Sequence, residues 1–212
     1  DLGYEDIEAV TLPSGRSYAA PDGNNYPSVT TVLSILNRDS IAQWRKRVGE
    51  EEANRVSYRA ATRGTAVHEI IEDYINNKED LSAYGLDIHQ SLNNIKPILD
   101  NRIGVVYAQE APLYSEYLGL AGRVDCIAEF DGKLSIIDFK TSKKIKRREW
   151  ITNYFIQESA YAIMWEERTG MPITQLVTIM DVDNEQPQVY IEQRDDWAPE
   201  LLKTIEIYKK EN

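Results

Sequence analysis

Apolar residues Val67, Ile70, Ile71 and Tyr74 recur at the spacing of one helical face and predict a helix over 58–76, with Gly64 tolerated inside it. Upstream, Ser28 or Thr30 can cap a short helix reaching residue 36, and a second helix is expected over 40–57. Pro21-Asp22-Gly23-Asn24-Asn25 marks a turn between short extended segments. Residues 77–85 read as loop and 88–103 as helix, with Pro97 a local complication. The period then changes. Segments 105–113, 118–130 and 133–139 read as strands of a meander, the last two joined by a tight Asp131-Gly132 turn. A long amphipathic helix over 149–168 ends at Gly170 and Pro172; strands over 176–181 and 188–192 and a helix over 197–210 close the chain. This order predicts an α/β fold: a central mixed β-sheet flanked by helices. All 212 residues are expected to form one domain: a mainly helical N-terminal part (1–103), a sheet core (104–182) and a C-terminal strand and helix (183–212).

No apolar run is long enough to span a bilayer, and the first residues lack the pattern of a signal peptide. The single cysteine, Cys126, falls inside an apolar strand and reads as a buried small hydrophobe. It has no partner for a disulfide, which favours a reducing, intracellular compartment. The formal net charge of −11 argues against a broad non-specific nucleic-acid coat. One local exception stands out: Lys140, Lys143, Lys144, Lys146, Arg147 and Arg148 form a dense basic cluster.

That cluster begins at the most chemically suggestive stretch. In Ile136-Ile137-Asp138-Phe139-Lys140 an acid and a base stand two apart, so on a strand they project from one face. Across the hairpin, Gly122-Arg123-Val124-Asp125 brings a second carboxylate within reach. Glu110 lies on the preceding strand, where alternation sets it opposite Gln109, and supplies a third oxygen donor. Oxygen-rich sets of this kind suit Mg²⁺ or Mn²⁺. His68 is a possible nitrogen ligand or phosphate contact, with Gly64 allowing its helix to pass close to the sheet. Gln157 and Tyr161 share a helix face. Trp150 and Tyr154 lie beside the basic cluster, where they could stack on unpaired bases. No phosphate-binding glycine loop, zinc-protease or serine-hydrolase motif is present.

Together, Gly64-Thr65-x-x-His68, Glu110, Gly122-Arg123-Val124-Asp125, Asp138-Phe139-Lys140 and Gln157-x-x-x-Tyr161 resemble the RecB-like branch of the PD-(D/E)XK nucleases, over residues 60–161. The resemblance implies a restriction-endonuclease-like core and a DNA exonuclease dependent on one or two Mg²⁺ or Mn²⁺ ions. It implies that Glu110, Asp125 and Asp138 hold metal, with His68 and the Phe139 carbonyl as further ligands. Lys140 is then the catalytic lysine. Gln157 and Tyr161 are the expected DNA contacts near the scissile phosphate, with Lys143, Lys144, Arg147, Arg148, Arg63 and Arg123 completing the expected DNA-binding set. The cysteines that hold an iron–sulfur cluster in some relatives are absent, so no cluster is implied. The expected partner is DNA, single-stranded or with free ends, with no membrane, in the cytoplasm of a bacterial or phage-infected cell. Competing expectations are a restriction-type endonuclease, a catalytically silent DNA-binding module, or a structural protein whose acids are solvated strand ends.

Overall fold

The computed structural model describes residues 2–212. Near the start, β1 (Ala9–Leu12), β2 (Gly15–Ala19) and β3 (Asn25–Pro27) form a small antiparallel sheet. Five longer strands form the central sheet in sequential order: β4 (Ile103–Ser115), β5 (Leu120–Phe130), β6 (Lys133–Ser142), β7 (Gln175–Val182) and β8 (Gln188–Gln193). β6 and β7 run parallel and every other neighbouring pair runs antiparallel, so the sheet is mixed. Only the parallel pair needs a crossover, and α5 (Thr152–Thr169) supplies it.

Helices cover both faces. α3 (Glu50–Ile75) and α4 (Leu86–Arg102) pack Val67, Ile70, Ile71, Leu92 and Ile95 against Cys126, Phe130, Ile137, Phe139, Val177 and Ile179. α1 (Val29–Leu33), α5 and α6 (Arg194–Glu211) pack against Leu113, Val124, Ile127, Ile136 and Leu176. Strand alternation sorts β6 accordingly: Ile137 and Phe139 join the α3/α4 layer, and Ile136 joins the α5/α6 layer. Asp138 and Lys140 share the parity of Ile136 and therefore face α5. None of the described helices is long and apolar enough to cross a membrane.

Three local departures from the sequence expectation have clear causes. The break expected near residue 57 instead falls at Gly49, where α2 (Arg38–Val48) ends and α3 begins. Gly49 takes φ +89°, which favours glycine, whereas the residues around 57 continue a helix of 26 residues. The N-terminal part carries the small sheet, with β1 unforeseen because its four residues are all exposed and lack an alternating pattern. Helix α5 starts at Thr152; Arg148–Trp150 form a separate 3-10 turn, which takes Trp150 out of the helix. Ser28 rather than Thr30 caps α1, its Oγ accepting the Thr31 N–H at 3.0 Å.

Gly49→Ala is expected to destabilise the protein by about 1–3 kcal/mol, because φ +89° with ψ 150° is a backbone conformation nearly restricted to glycine, although no atom obstructs a Cβ there. Thermal unfolding should show a drop in midpoint of roughly 2–12 °C.

Candidate active site

The site forms where two strands part. The β5–β6 ladder runs from Phe130↔Lys133 only as far as Cys126↔Ile137. Beyond it β6 continues to pair with β7 through Ser142, while β5 continues alongside β4. The edge of Phe139 facing β5 thereby loses its main-chain partner, and a buried peptide must find others. Asp125 Oδ2 accepts the Phe139 N–H at 2.8 Å. The Phe139 carbonyl lies 2.6 Å from His68 Nε2, which is also 3.3 Å from Asp125 Oδ2. Helix α3 carries His68 to this edge from the opposite face of the sheet to α5.

Asp138 and Lys140 lie on the α5 side of β6. Asp138 is 2% exposed, and Lys140 Nζ stands 2.8 Å from its Oδ2. Oδ2 is buried and makes this ion pair without a well-aligned hydrogen bond. Lys140 is positioned by α5: Nζ donates to Gln157 Oε1 at 3.3 Å and lies 4.8 Å from the centre of the Tyr154 ring. Gln157 Nε2 in turn donates to the Tyr161 hydroxyl at 3.1 Å. The Tyr161 ring packs on the backbone of Gly122, where a Cβ would come within 2.8 Å of a ring carbon. This explains the glycine of Gly122-Arg123-Val124-Asp125: it makes room for the tyrosine that holds the glutamine that orients the lysine.

Glu110 completes the group on β4. It falls between the pairs Gln109↔Cys126 and Ala111↔Val124, across from Asp125. Its φ of +46° is a costly conformation for a side-chain-bearing residue. Arg123 braces it, donating from Nη1 to the Glu110 carbonyl at 2.6 Å while Nη2 pairs with Asp6. Simple alternation does not describe this position.

The charges interact strongly. Burial, opposed by Lys140 and reinforced by the charge of Asp125, pushes Asp138 up to about 7. Burial and then the Asp125 charge push Glu110 up to about 7. Burial works against ionisation of Asp125, but the hydrogen bond and charge of His68 and the charge of Lys140 prevail and lower its pKa. For His68, burial is outweighed by the hydrogen bond and charge of Asp125, which raise the imidazole to about 9. Lys140 is likewise held protonated, the charges of Asp138 and Asp125 overcoming its burial.

A sequence model of the PD-(D/E)XK nuclease superfamily matches residues 41–211. The chain belongs to this superfamily. Mitochondrial genome maintenance exonuclease 1 of Homo sapiens is 31% identical over 133 residues, covering 58% of this chain and 38% of the human protein. Its Xenopus tropicalis counterpart is 31% identical over 153 residues, covering 65% of this chain and 41% of that protein. The matches thus span well under half the length of these relatives. A solved structure of a Eubacterium rectale protein overlaps with a TM-score of 0.46 at 14% identity, covering 70% of this chain and 64% of that one.

PD-(D/E)XK nucleases generally use divalent metal ions. Among the described residues, no three or more His, Cys, Asp or Glu side chains form a group able to hold an ion on their own. The set that gathers is mixed, because one donor is the main-chain carbonyl of Phe139. An octahedral ion with ligands at about 2.1 Å has neighbouring donors about 3 Å apart. His68 Nε2 meets that spacing with both Phe139 O (2.6 Å) and Asp125 Oδ2 (3.3 Å). Asp138, the residue before Phe139, adds a buried carboxylate held against Lys140. The residues fit a hard cation that keeps several waters.

A further buried acid, Glu158, lies next to this group and was not among the residues expected from the sequence. Glu158 is fully buried behind Asp138; Oε1 accepts from Thr178 Oγ1 at 2.5 Å and Oε2 has no donor. Thr178 pairs with Asp138 across the parallel ladder. Burial, then the Asp138 charge, raises the Glu158 pKa well above the carboxylate range. The sequence does not mark it: Gln157, Glu158 and Ser159 are three polar residues in a row, yet the whole stretch from Phe155 to Ala162 is buried.

The expected DNA-binding cations divide into two groups. Lys143, Lys144 and Arg147 are exposed. Arg63, Arg123 and Arg148 have internal partners. Arg63 pairs with Asp181 at 3.1 Å and with Asp183, at a cleft of about 910 Å³ that Thr141 and Ser142 also line. Arg148 pairs with Glu192 and lies over Phe155 and Trp197. Gly64 meets only Thr141 Oγ1, at 3.9 Å from a built Cβ, so the helix does not approach tightly enough to require glycine.

Titration calorimetry with Mn²⁺ should give a binding isotherm for the wild type that disappears in Asp125→Ala. His68→Ala should weaken binding by about 10- to 100-fold, the range expected for disturbing a metal's surroundings. Gly122→Ala should cost about 1–3 kcal/mol in urea unfolding, because the Tyr161 ring must move.

Proposed function

We propose that this chain is a deoxyribonuclease dependent on Mg²⁺ or Mn²⁺ that hydrolyses phosphodiester bonds from free single-stranded DNA ends. The observation that carries the reading is Lys140 beside Asp138 on one strand face, with Asp125 and His68 gathered at the Phe139 peptide. Membership of a nuclease superfamily supports hydrolysis, and the relatives named as exonucleases support action at ends.

Asp125, Asp138, Glu110, His68 and the Phe139 carbonyl are the groups that would hold one or two ions. A bound divalent ion would lower the pKa of a water and offset charge on the phosphate. The chain's own residues supply the rest. Lys140 keeps a compact positive charge at the reacting phosphate, where it steadies the attacking water or the charge that develops on the non-bridging oxygens. Gln157 restrains its ammonium, and Tyr161 restrains Gln157. Arg123 secures the backbone that presents Glu110. The exposed Lys143, Lys144 and Arg147 neutralise neighbouring phosphates. Internal pairing of Arg63, Arg123 and Arg148 favours positioning roles for these three. The lone buried cysteine suits an intracellular setting.

A restriction-type endonuclease and a silent binding module make different predictions from this reading. End-labelled linear single strands should be degraded with Mg²⁺ or Mn²⁺ and spared in EDTA, while closed circular single strands survive. Cutting of the circle would point to an endonuclease, and no cutting of either would point to a silent module. Lys140→Ala should retain the Mn²⁺ isotherm and lose cleavage by about 10²- to 10⁴-fold. Full activity in that variant would remove Lys140 from the mechanism.

A further inference from the structure

Between β6 and α5 the chain makes a loop whose backbone is fixed through one peptide. The Lys146 N–H donates to Gln188 Oε1 at 2.8 Å, and the Lys146 carbonyl accepts from Gln188 Nε2 at 2.8 Å and from the Tyr190 hydroxyl at 2.6 Å. A loop held this firmly nonetheless turns two large apolar side chains outward: Ile145 is 53% exposed and Trp150 61% exposed. An indole left in water forgoes most of the burial it could gain; exposure alone is common on this surface, and what sets Trp150 apart is its surroundings.

The Arg147 guanidinium lies 5.2 Å from the centre of the Trp150 ring and 4.0 Å from the exposed Glu149 carboxylate, a loose surface pair that a phosphate can replace, and Lys143 and Lys144 are exposed on the same loop. Arg148 turns away to Glu192 and Trp197 and leaves the indole to Arg147. The loop begins three residues after Lys140. It ends at Trp150, about one helical turn before Tyr154, whose ring carries the Lys140 ammonium. Cations interleaved with a flat aromatic face, beside a phosphate-cleaving lysine, match an unpaired polynucleotide strand: the cations follow the phosphates and the ring stacks on a base. A duplex exposes a base face only at its terminal pair, so along its length it cannot use the ring in this way.

We infer that Trp150 is a stacking platform for one unpaired base of the strand held for cleavage, with Lys143, Lys144 and Arg147 on its phosphates. This rests on the deoxyribonuclease reading and adds the feature that selects unpaired over paired DNA.

The test compares wild type, Trp150→Ala and Trp150→Phe on end-labelled single strands with Mg²⁺. Trp150→Ala should raise KM about tenfold with kcat within about twofold, and Trp150→Phe should recover most of the loss. A strand carrying one abasic nucleotide, scanned along positions near the end, should at one position impose the same penalty on wild type and none on Trp150→Ala. Wild-type KM in Trp150→Ala, equal abasic penalties in both proteins, or an equal loss on duplex ends would overturn the inference. A second measurement is independent of cleavage. In EDTA, oligo(dT) should quench the tryptophan fluorescence of wild type more than that of Trp150→Phe. If wild type cleaves nothing, the nuclease reading fails and the quench alone decides: a difference supports the platform, and equal quenching rejects it.

Discussion

The site depends on a ladder that stops early. Had β5 and β6 stayed paired past Cys126↔Ile137, the N–H and carbonyl of Phe139 would have been consumed by main-chain partners. Because the strands part, the N–H goes to the Asp125 carboxylate and the carbonyl to His68. A backbone requirement that helps hold the fold together thus fixes a carboxylate, a carbonyl and an imidazole near one point. The parting costs little, since β6 still has β7 on its other side and β5 still has β4.

Gathering carboxylates in a low-dielectric interior works against stability. Two like charges 4 Å apart repel by about 4 kcal/mol at an effective dielectric constant of 20. The protein counters this from three directions. Lys140 stands against Asp138, His68 stands against Asp125, and the charges of His68 and Arg123 partly offset the cost of ionising Glu110. Glu158 goes the other way: with only Thr178 as donor and complete burial, it favours the neutral acid. The site therefore holds acids in distinct electrostatic states, set by which neighbours each one has.

Much of this arrangement can be read in the sequence because it rests on period-two alternation. Asp138 and Lys140 must share a strand face, and the Asp131-Gly132 turn sets the hairpin that brings Asp125 near. The order of helices and strands was legible for the same reason. Glu110 shows the limit: its left-handed φ is braced by Arg123 and cannot be inferred from strand pattern. Glu158 was hidden because an acid on a long helix normally marks the solvent side, and only the packing of α5 over β7 reveals it as buried. Arg148 read as a free cation because its partner Glu192 is 44 residues away. Gly49 stands between two charged segments and is the local signal for the helix break, whereas nothing at residues 57 and 58 requires the backbone to leave the helix.

The clasp on Lys146 uses only peptide atoms. Any residue except proline could supply the same N–H and carbonyl to Gln188 and Tyr190. The side chains at 143–147 can therefore be exchanged without disturbing the bonds that shape the loop. The outward chemistry of this rim is free to drift under selection while the catalytic strands beneath it stay fixed, so related chains could acquire different substrate preferences on an unchanged core.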